Sequence, residues 1–137
     1  MATIDMQTMR YINLLDRTSG VKTTKCFVYN NSIIFAVPKA LLARAIGQQA
    51  YNIRNIQEQI GKKIRVIEEA NGVTDMKKFI EDVVAPISFK GVEVKDRTII
   101  LTAGSQSKAA LIGRNRRRLD ELQQIVKDTY NLDLRIV

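Results

Sequence analysis

The sequence predicts an α+β fold in which one small module occurs twice. The chain has 137 residues, which is enough for one medium domain or two very small ones. When the sequence is shifted by 66 residues, Ile33-Ile34-Phe35 falls on Ile99-Ile100-Leu101, and the apolar pattern matches almost throughout. Each copy also shows the same order of patterns, α-β-β-α-α-β. We therefore predict two modules, at residues 1–70 and 71–137, each with a three-stranded mixed sheet covered by helices on one face.

Each module opens with an amphipathic helix. Apolar residues follow helical spacing from Tyr11 to Leu15 in the first copy and from Met76 to Val83 in the second. Gly20 follows the end of the first helix. Thr74 is the predicted N-cap of the second, which Pro86 ends.

A β-hairpin follows each of these helices. Its turns are Asn30-Asn31 and Asp96-Arg97, short polar pairs between β-prone runs. The predicted strands are Lys25–Tyr29, Ser32–Val37, Gly91–Lys95 and Thr98–Thr102.

Two helices and a final strand complete each module. The first helix is predicted over Lys39–Ile46 and over Ser107–Ile112, the latter with Ser105 as its cap. Gly47 or Gly113 follows it, and the second helix begins about three residues later. Such a crossover returns the chain so that the last strand pairs parallel with the second hairpin strand. The predicted last strands are Lys63–Ile67 and Leu132–Val137.

The composition excludes several common classes of protein. The chain has no His, so Ser-His-Asp and Cys-His nucleophiles and imidazole metal ligands are absent. The single Cys26 can form neither an internal disulfide nor a multi-cysteine zinc site. No apolar run approaches the ~20 residues that span a bilayer, and no signal peptide is visible. We expect a cytoplasmic, non-enzymatic protein without cofactor, metal or membrane association.

The positive charge is concentrated in the segments that contain Gly47 and Gly113. The net charge is +8, yet there is no acidic residue between Asp16 and Glu58 or between Asp96 and Asp120. Each of these intervals contains one glycine loop followed by a helix start, which offers unpaired N–H groups and a partial positive charge to phosphate. Local positive potential attracts polyanions. This pattern predicts a nucleic-acid ligand.

The loops are similar to those of a known family. They read Ala-Ile-Gly-Gln-Gln-Ala-Tyr-Asn-Ile-Arg over 45–54 and Leu-Ile-Gly-Arg-Asn-Arg-Arg-Arg-Leu over 111–119. A glycine loop between the central helices of an α-β-β-α-α-β module resembles the type II KH domain, whose loop is Gly-x-x-Gly. Two such modules in tandem resemble the archaeal NusA-like proteins. The fourth loop position departs from that pattern, since it holds Ala50 and Arg116.

The resemblance implies a function and a set of contacts. It implies a transcription termination or antitermination factor that binds single-stranded RNA on the nascent transcript, with RNA polymerase as a further partner. We expect a monomer. The candidate RNA-binding residues are the loops and nearby cations: Lys39, Arg44, Gly47, Gln48, Gln49, Ala50, Arg54, Lys108, Gly113, Arg114, Asn115, Arg116, Arg117 and Arg118.

Other interpretations remain open at this stage. Because both loops lack the second glycine, the pair could instead be a protein-interaction module that docks on RNA polymerase or on a ribosome-assembly partner. A duplex-DNA or ribosome-associated binder would explain the charge but not the two glycine loops. Tyr51 could stack on a base or pack against the protein.

Overall fold

The structure is a computed structural model that describes residues 6–70, 72 and 75–137. It divides into two compact units, one ending at Glu69 and the other beginning at Ala70. The predicted α+β class is confirmed, since each unit contains a three-stranded mixed sheet and helices. The predicted N-cap Thr74 lies outside the described residues. Within the described part of the chain, no helix is long and apolar enough to cross a bilayer.

The described residues of the first unit form three α-helices and three strands. These are α1 Met6–Ser19, β1 Lys25–Tyr29, β2 Ser32–Val37, α2 Leu42–Ile46, α3 Tyr51–Ile60 and β3 Lys63–Glu68. The strand order is β1-β2-β3, with β1 antiparallel and β3 parallel to β2. The helix predicted over Lys39–Ile46 is divided, because Lys39–Leu41 forms a 3₁₀ turn and only Leu42–Ile46 is α-helical.

The second unit has the same order of elements. These are α4 Met76–Val84, β4 Gly91–Lys95, β5 Thr98–Thr102, α5 Ser105–Ile112, α6 Arg117–Tyr130 and β6 Asp133–Ile136. The strand order is β4-β5-β6, with the same antiparallel and parallel pairings.

The start of α5 corrects the prediction. Ser105 is the first helical residue and not its cap, and the helix begins two residues before Ser107. The N-cap is Gly104, which has an extended backbone (φ −67°, ψ 163°). The Lys108 N–H donates to the Gly104 carbonyl at 2.7 Å, so the first helical hydrogen bond closes on Gly104.

Both hairpin turns have the backbone that a two-residue turn requires. Asn30 and Asn31 have φ of 51° and 60°, and Asp96 and Arg97 have 52° and 58°. Positive φ at both central residues gives the twist of a type I′ turn, which matches the twist of the flanking strands. The hairpin predictions are therefore confirmed.

The core of the first unit lies between its helices and one face of the sheet. Ile33 and Phe35 alternate along β2 and are fully buried. They pack in one cluster with Leu15 from α1, Ala45 from α2 and Ile56 from α3. This packing fixes α2 and α3, and with them the loop that joins the two helices.

Candidate nucleic-acid interface

The loop glycines are required by their backbone. Gly47 has φ 80° and ψ 167°, and Gly113 has φ 74° and ψ 174°. This region is essentially restricted to glycine. A Cβ on Gly47 would lie 2.9 Å from the Cγ of Asn52, and a Cβ on Gly113 would lie 3.0 Å from the Cγ of Arg118. The backbone conformation therefore disfavours a side chain at the first loop position of both units, and a Cβ would in addition crowd Asn52 in the first unit and Arg118 in the second.

The third and fourth loop positions are left-handed in both units. Gln49 and Asn115 have φ/ψ of 52°/33° and 55°/28°. Ala50 and Arg116 follow at 59°/29° and 59°/21°. In each loop the N–H of the fourth residue donates to the carbonyl of the glycine, at 3.1 Å and 3.2 Å. The two loops thus have one backbone conformation, although their side chains differ.

This conformation determines the energetic cost of having no glycine at the fourth loop position. Glycine adopts a left-handed backbone freely, whereas residues with a Cβ adopt it at a cost of about 1–2 kcal/mol. Ala50 and Arg116 adopt this left-handed backbone despite that cost.

A side chain from the helix after each loop donates a hydrogen bond to the helix before that loop. Asn52 donates from Nδ2 to the carbonyl of Arg44 at 3.0 Å, and Arg118 donates from Nη1 to the carbonyl of Ala110 at 3.3 Å. Both donors lie five residues after the loop glycine, and both acceptors lie three residues before it. Asn52 is not among the residues predicted from the sequence, and Arg118 is predicted there only as a source of charge. In the structure Arg118 is half-buried and holds the end of α5.

A further pair of glutamines positions the second helix of each unit. The N–H of Ile64 donates to the Oε1 of Gln57 at 3.0 Å, and the Nε2 of Gln123 donates to the carbonyl of Leu134 at 3.1 Å. Both bonds join the helix after the loop to the last strand of its unit.

The helix entrances that follow the loops have no side-chain cap. The N-cap residues are Ala50 for α3 and Arg116 for α6, and neither helix start has a capping hydrogen bond from its N-cap side chain. The first turn of α3 contains no acid, whereas that of α6 contains Asp120. Uncapped N–H groups and the partial positive charge of a helix start suit an anion.

The structure brings part of the predicted set together in the first unit. An open concavity of about 490 Å³ is lined by Gly47, Gln48, Gln49, Tyr51, Asn52 and Arg54. Arg44 is exposed, but its Nε donates to the Ser19 carbonyl at the end of α1 at 3.3 Å. Lys39 lies in the 3₁₀ turn before α2 and does not line the concavity.

In the second unit the predicted residues differ in exposure. Arg114, Asn115, Arg116 and Arg117 are exposed, while Lys108 is half-buried on α5. Within the predicted set, the exposed guanidinium groups therefore belong to the loop and to the first turn of α6.

Tyr51 is exposed to solvent. The sequence left open whether it packs or stacks. The structure leaves 62% of it accessible, in contrast to Tyr11 at 8% and Tyr29 at 3%. It does not belong to the core.

One perturbed group lies away from the loops. Burial, with a smaller contribution from the Asp75 carboxylate, raises the pKa of Tyr130 to about 12. Its ring packs edge-on against Phe79, with centroids 6.0 Å apart. Its hydroxyl is buried and has no hydrogen-bond partner among the described residues. A neutral phenol packed between helices is a structural group.

The sequence is similar to three archaeal proteins, each named probable transcription termination protein NusA. The Methanococcus vannielii protein is 28% identical over 118 residues, which cover 83% of this chain and 66% of that protein. The Methanocaldococcus jannaschii protein is 26% identical, over 85% of this chain and 64% of that protein. The Halococcus morrhuae protein is 19% identical, over 96% of this chain and 94% of that protein. The predicted resemblance to archaeal NusA-like proteins is confirmed.

The chain spans just under two thirds of the two methanogen proteins. No protein-family model matches it. The crystal structure of a protein designated APE1850 superimposes with a TM-score of 0.67 at 22% identity, over 98% of this chain and 99% of that one. This likeness shows that the two proteins share a fold.

Proposed function

We propose that the protein binds single-stranded RNA without catalysis, through two type II KH modules at residues 1–70 and 71–137, and acts in transcription termination or antitermination on nascent RNA. The observation that carries the proposal is the pair of glycine loops, which have one backbone conformation and lie at uncapped helix entrances in basic segments. KH modules use such a loop to hold about four nucleotides by their backbone.

The similarity to proteins named for transcription termination supports the place of action. On this proposal RNA polymerase is the neighbouring partner, because a factor that acts on nascent RNA works close to the enzyme. The cations around the loops supply attraction to phosphate, and Gly47 and Gly113 let the RNA backbone approach the protein backbone.

Salt dependence provides the first test. Binding of the full chain to a labelled single-stranded RNA is measured by fluorescence anisotropy at several salt concentrations. For single strands log K falls with log salt at about −0.7 per phosphate neutralised, so about five contacts give a slope near −3.5. A flat salt response, or no binding at low salt, would contradict the proposal and favour the protein-interaction alternative.

Charge reversal in the loop provides the second test. Gln48→Asp with Gln49→Asp adds two negative charges, and Asp tolerates the left-handed backbone of position 49. We expect RNA binding to weaken by about tenfold or more, since the added carboxylates repel the charged backbone of an RNA bound at the loop. The matched control is Asn13→Asp with Gln59→Asp, which adds the same charge at exposed positions on α1 and on the last turn of α3.

The outcomes are distinct. A large loss for the loop variant and a small one for the control supports the loop as the site. An equal loss would mean that RNA responds only to net charge, and unchanged binding by both would place the RNA elsewhere.

A further inference from the structure

The two loops present different chemistry on one backbone. Gln48 and Tyr51 of the first loop correspond to Arg114 and Arg117 of the second. Residues 47–54 contain one basic residue and no acid, whereas residues 113–120 contain four arginines and one aspartate. Amide and aromatic groups in one unit therefore replace guanidinium groups in the other.

Tyr51 has the surroundings of a stacking platform. It is 62% exposed and lines an open concavity, together with Gln48, Gln49 and Arg54. This lining contains one cation and no acidic side chain. An unpaired base is flat, apolar on its faces and able to hydrogen-bond at its edges, so it can stack on the phenol ring while the amides contact its edge.

We propose that Tyr51 and its concavity form a base-binding subsite, whereas the arginine-rich loop of the second unit binds phosphates. This inference rests on the proposed binding of single-stranded RNA. Stacking on an aromatic side chain strengthens binding about 5- to 150-fold for one base and releases no counterions. An arginine that neutralises one phosphate instead contributes about 0.7 to the salt slope. A change in the first loop should therefore alter the affinity at a constant salt slope, whereas a change in the second loop should alter the salt slope.

Tryptophan can report on the subsite directly. The chain contains no Trp, so Tyr51→Trp introduces a single indole at the proposed subsite and Arg117→Trp introduces one at the matching position. Each full-length variant is titrated with a mixed-sequence single-stranded RNA while indole emission is recorded. We expect strong quenching for Tyr51→Trp, because a base stacks on the ring, and weak quenching for Arg117→Trp. Equal quenching of both, or none in Tyr51→Trp at saturation, would overturn the inference.

Affinity and salt slope separate the two roles. Tyr51→Ala should weaken RNA binding about 5- to 150-fold with an unchanged slope, and Tyr51→Phe should retain the affinity because the ring remains. Arg117→Ala should lower the magnitude of the slope by about 0.7. Thermal unfolding checks that each exposed-site variant remains folded. The inference fails if Tyr51→Ala binds like the wild type, if its loss comes with a smaller slope, or if Phe and Ala are equally weak.

Failure of this inference differs from failure of the proposed function. If the wild-type chain does not bind the RNA, both are wrong. If the wild type binds with a steep salt slope and Tyr51→Ala binds equally well, only the base-binding subsite is wrong.

Discussion

Replacing Ala50 with glycine should stabilise the protein. Ala50 has φ 59° and ψ 29° at the start of α3, and this left-handed conformation costs a residue with a Cβ about 1–2 kcal/mol. Glycine removes that cost but gives the unfolded chain about 0.4–1 kcal/mol more conformational freedom. At the midpoints of these ranges the difference is a net gain of about 0.8 kcal/mol in the free energy of unfolding, or about 3–6 °C in Tm for a unit of this size.

The same substitution in a right-handed backbone provides the control. Ala43 is exposed on α2, where glycine should lower the free energy of unfolding by about 0.5–1 kcal/mol. Urea unfolding followed by circular dichroism measures both variants, with an unchanged m-value as the sign that only stability has shifted. Opposite signs for Ala50→Gly and Ala43→Gly support the left-handed loop. Equal destabilisation by both would refute the reasoning, since it would mean that Ala50 is not left-handed in solution.

Three further predictions concern the loop anchor, the buried phenol and the first glycine. Asn52→Ala should lower the free energy of unfolding by about 1 kcal/mol, because the Arg44 carbonyl loses its donor; urea unfolding measures this, and an unchanged value would mean that the bond contributes nothing. The folded protein keeps Tyr130 protonated up to a pKa of about 12, whereas the unfolded chain loses that proton near pH 10. The free energy of unfolding should therefore fall as the pH rises from 10 towards 12. In urea unfolding at pH 8 and 11, Tyr130→Phe should lose less stability between the two pH values than the wild type and should be equally or more stable at pH 8. An alkaline loss of the same size in the variant would contradict the assignment. Gly47→Ala should destabilise by about 1–3 kcal/mol, more than Gly61→Ala, whose new Cβ would meet nothing within 4 Å; thermal unfolding compares the two, and an equal loss would show that φ alone matters.

Periodic patterns made the framework predictable from the sequence. The hairpins follow from period-2 runs around Asn30-Asn31 and Asp96-Arg97, and both turns take the expected positive φ. The loop glycines were recognisable because each interrupts two helical patterns in the same register. These features depend on neighbours in the chain, which is the information that a sequence shows directly.

The features that escaped prediction depend on hydrogen bonds across the loop. Asn52 and Arg118 make the same bond with unlike side chains, so no residue type marks the position. Ser105 looked like a cap because serine favours caps, but the carbonyl of Gly104 accepts the first helical bond. Ala50 carries no signal for a left-handed backbone at all. In each case the backbone geometry of the folded unit determines the role of the residue, and the residue type alone does not.

If the two ends of each loop determine its backbone conformation, the residues between those ends should be interchangeable between the two units. The glycine and the donor five residues later recur in both units, while the residues between them, 48–51 and 114–117, have no identity in register. Exchanging these two four-residue segments in one chain leaves the composition and net charge unchanged. We expect a single cooperative unfolding curve with a free energy of unfolding within about 1 kcal/mol of the wild type, since Asn and Arg already adopt positions three and four in the second unit. A loss of several kcal/mol would show that the intervening side chains also determine the path of the loop. A retained fold would mean that only the positions at the two ends are constrained by structure, which leaves the four between them free to be selected for the ligand.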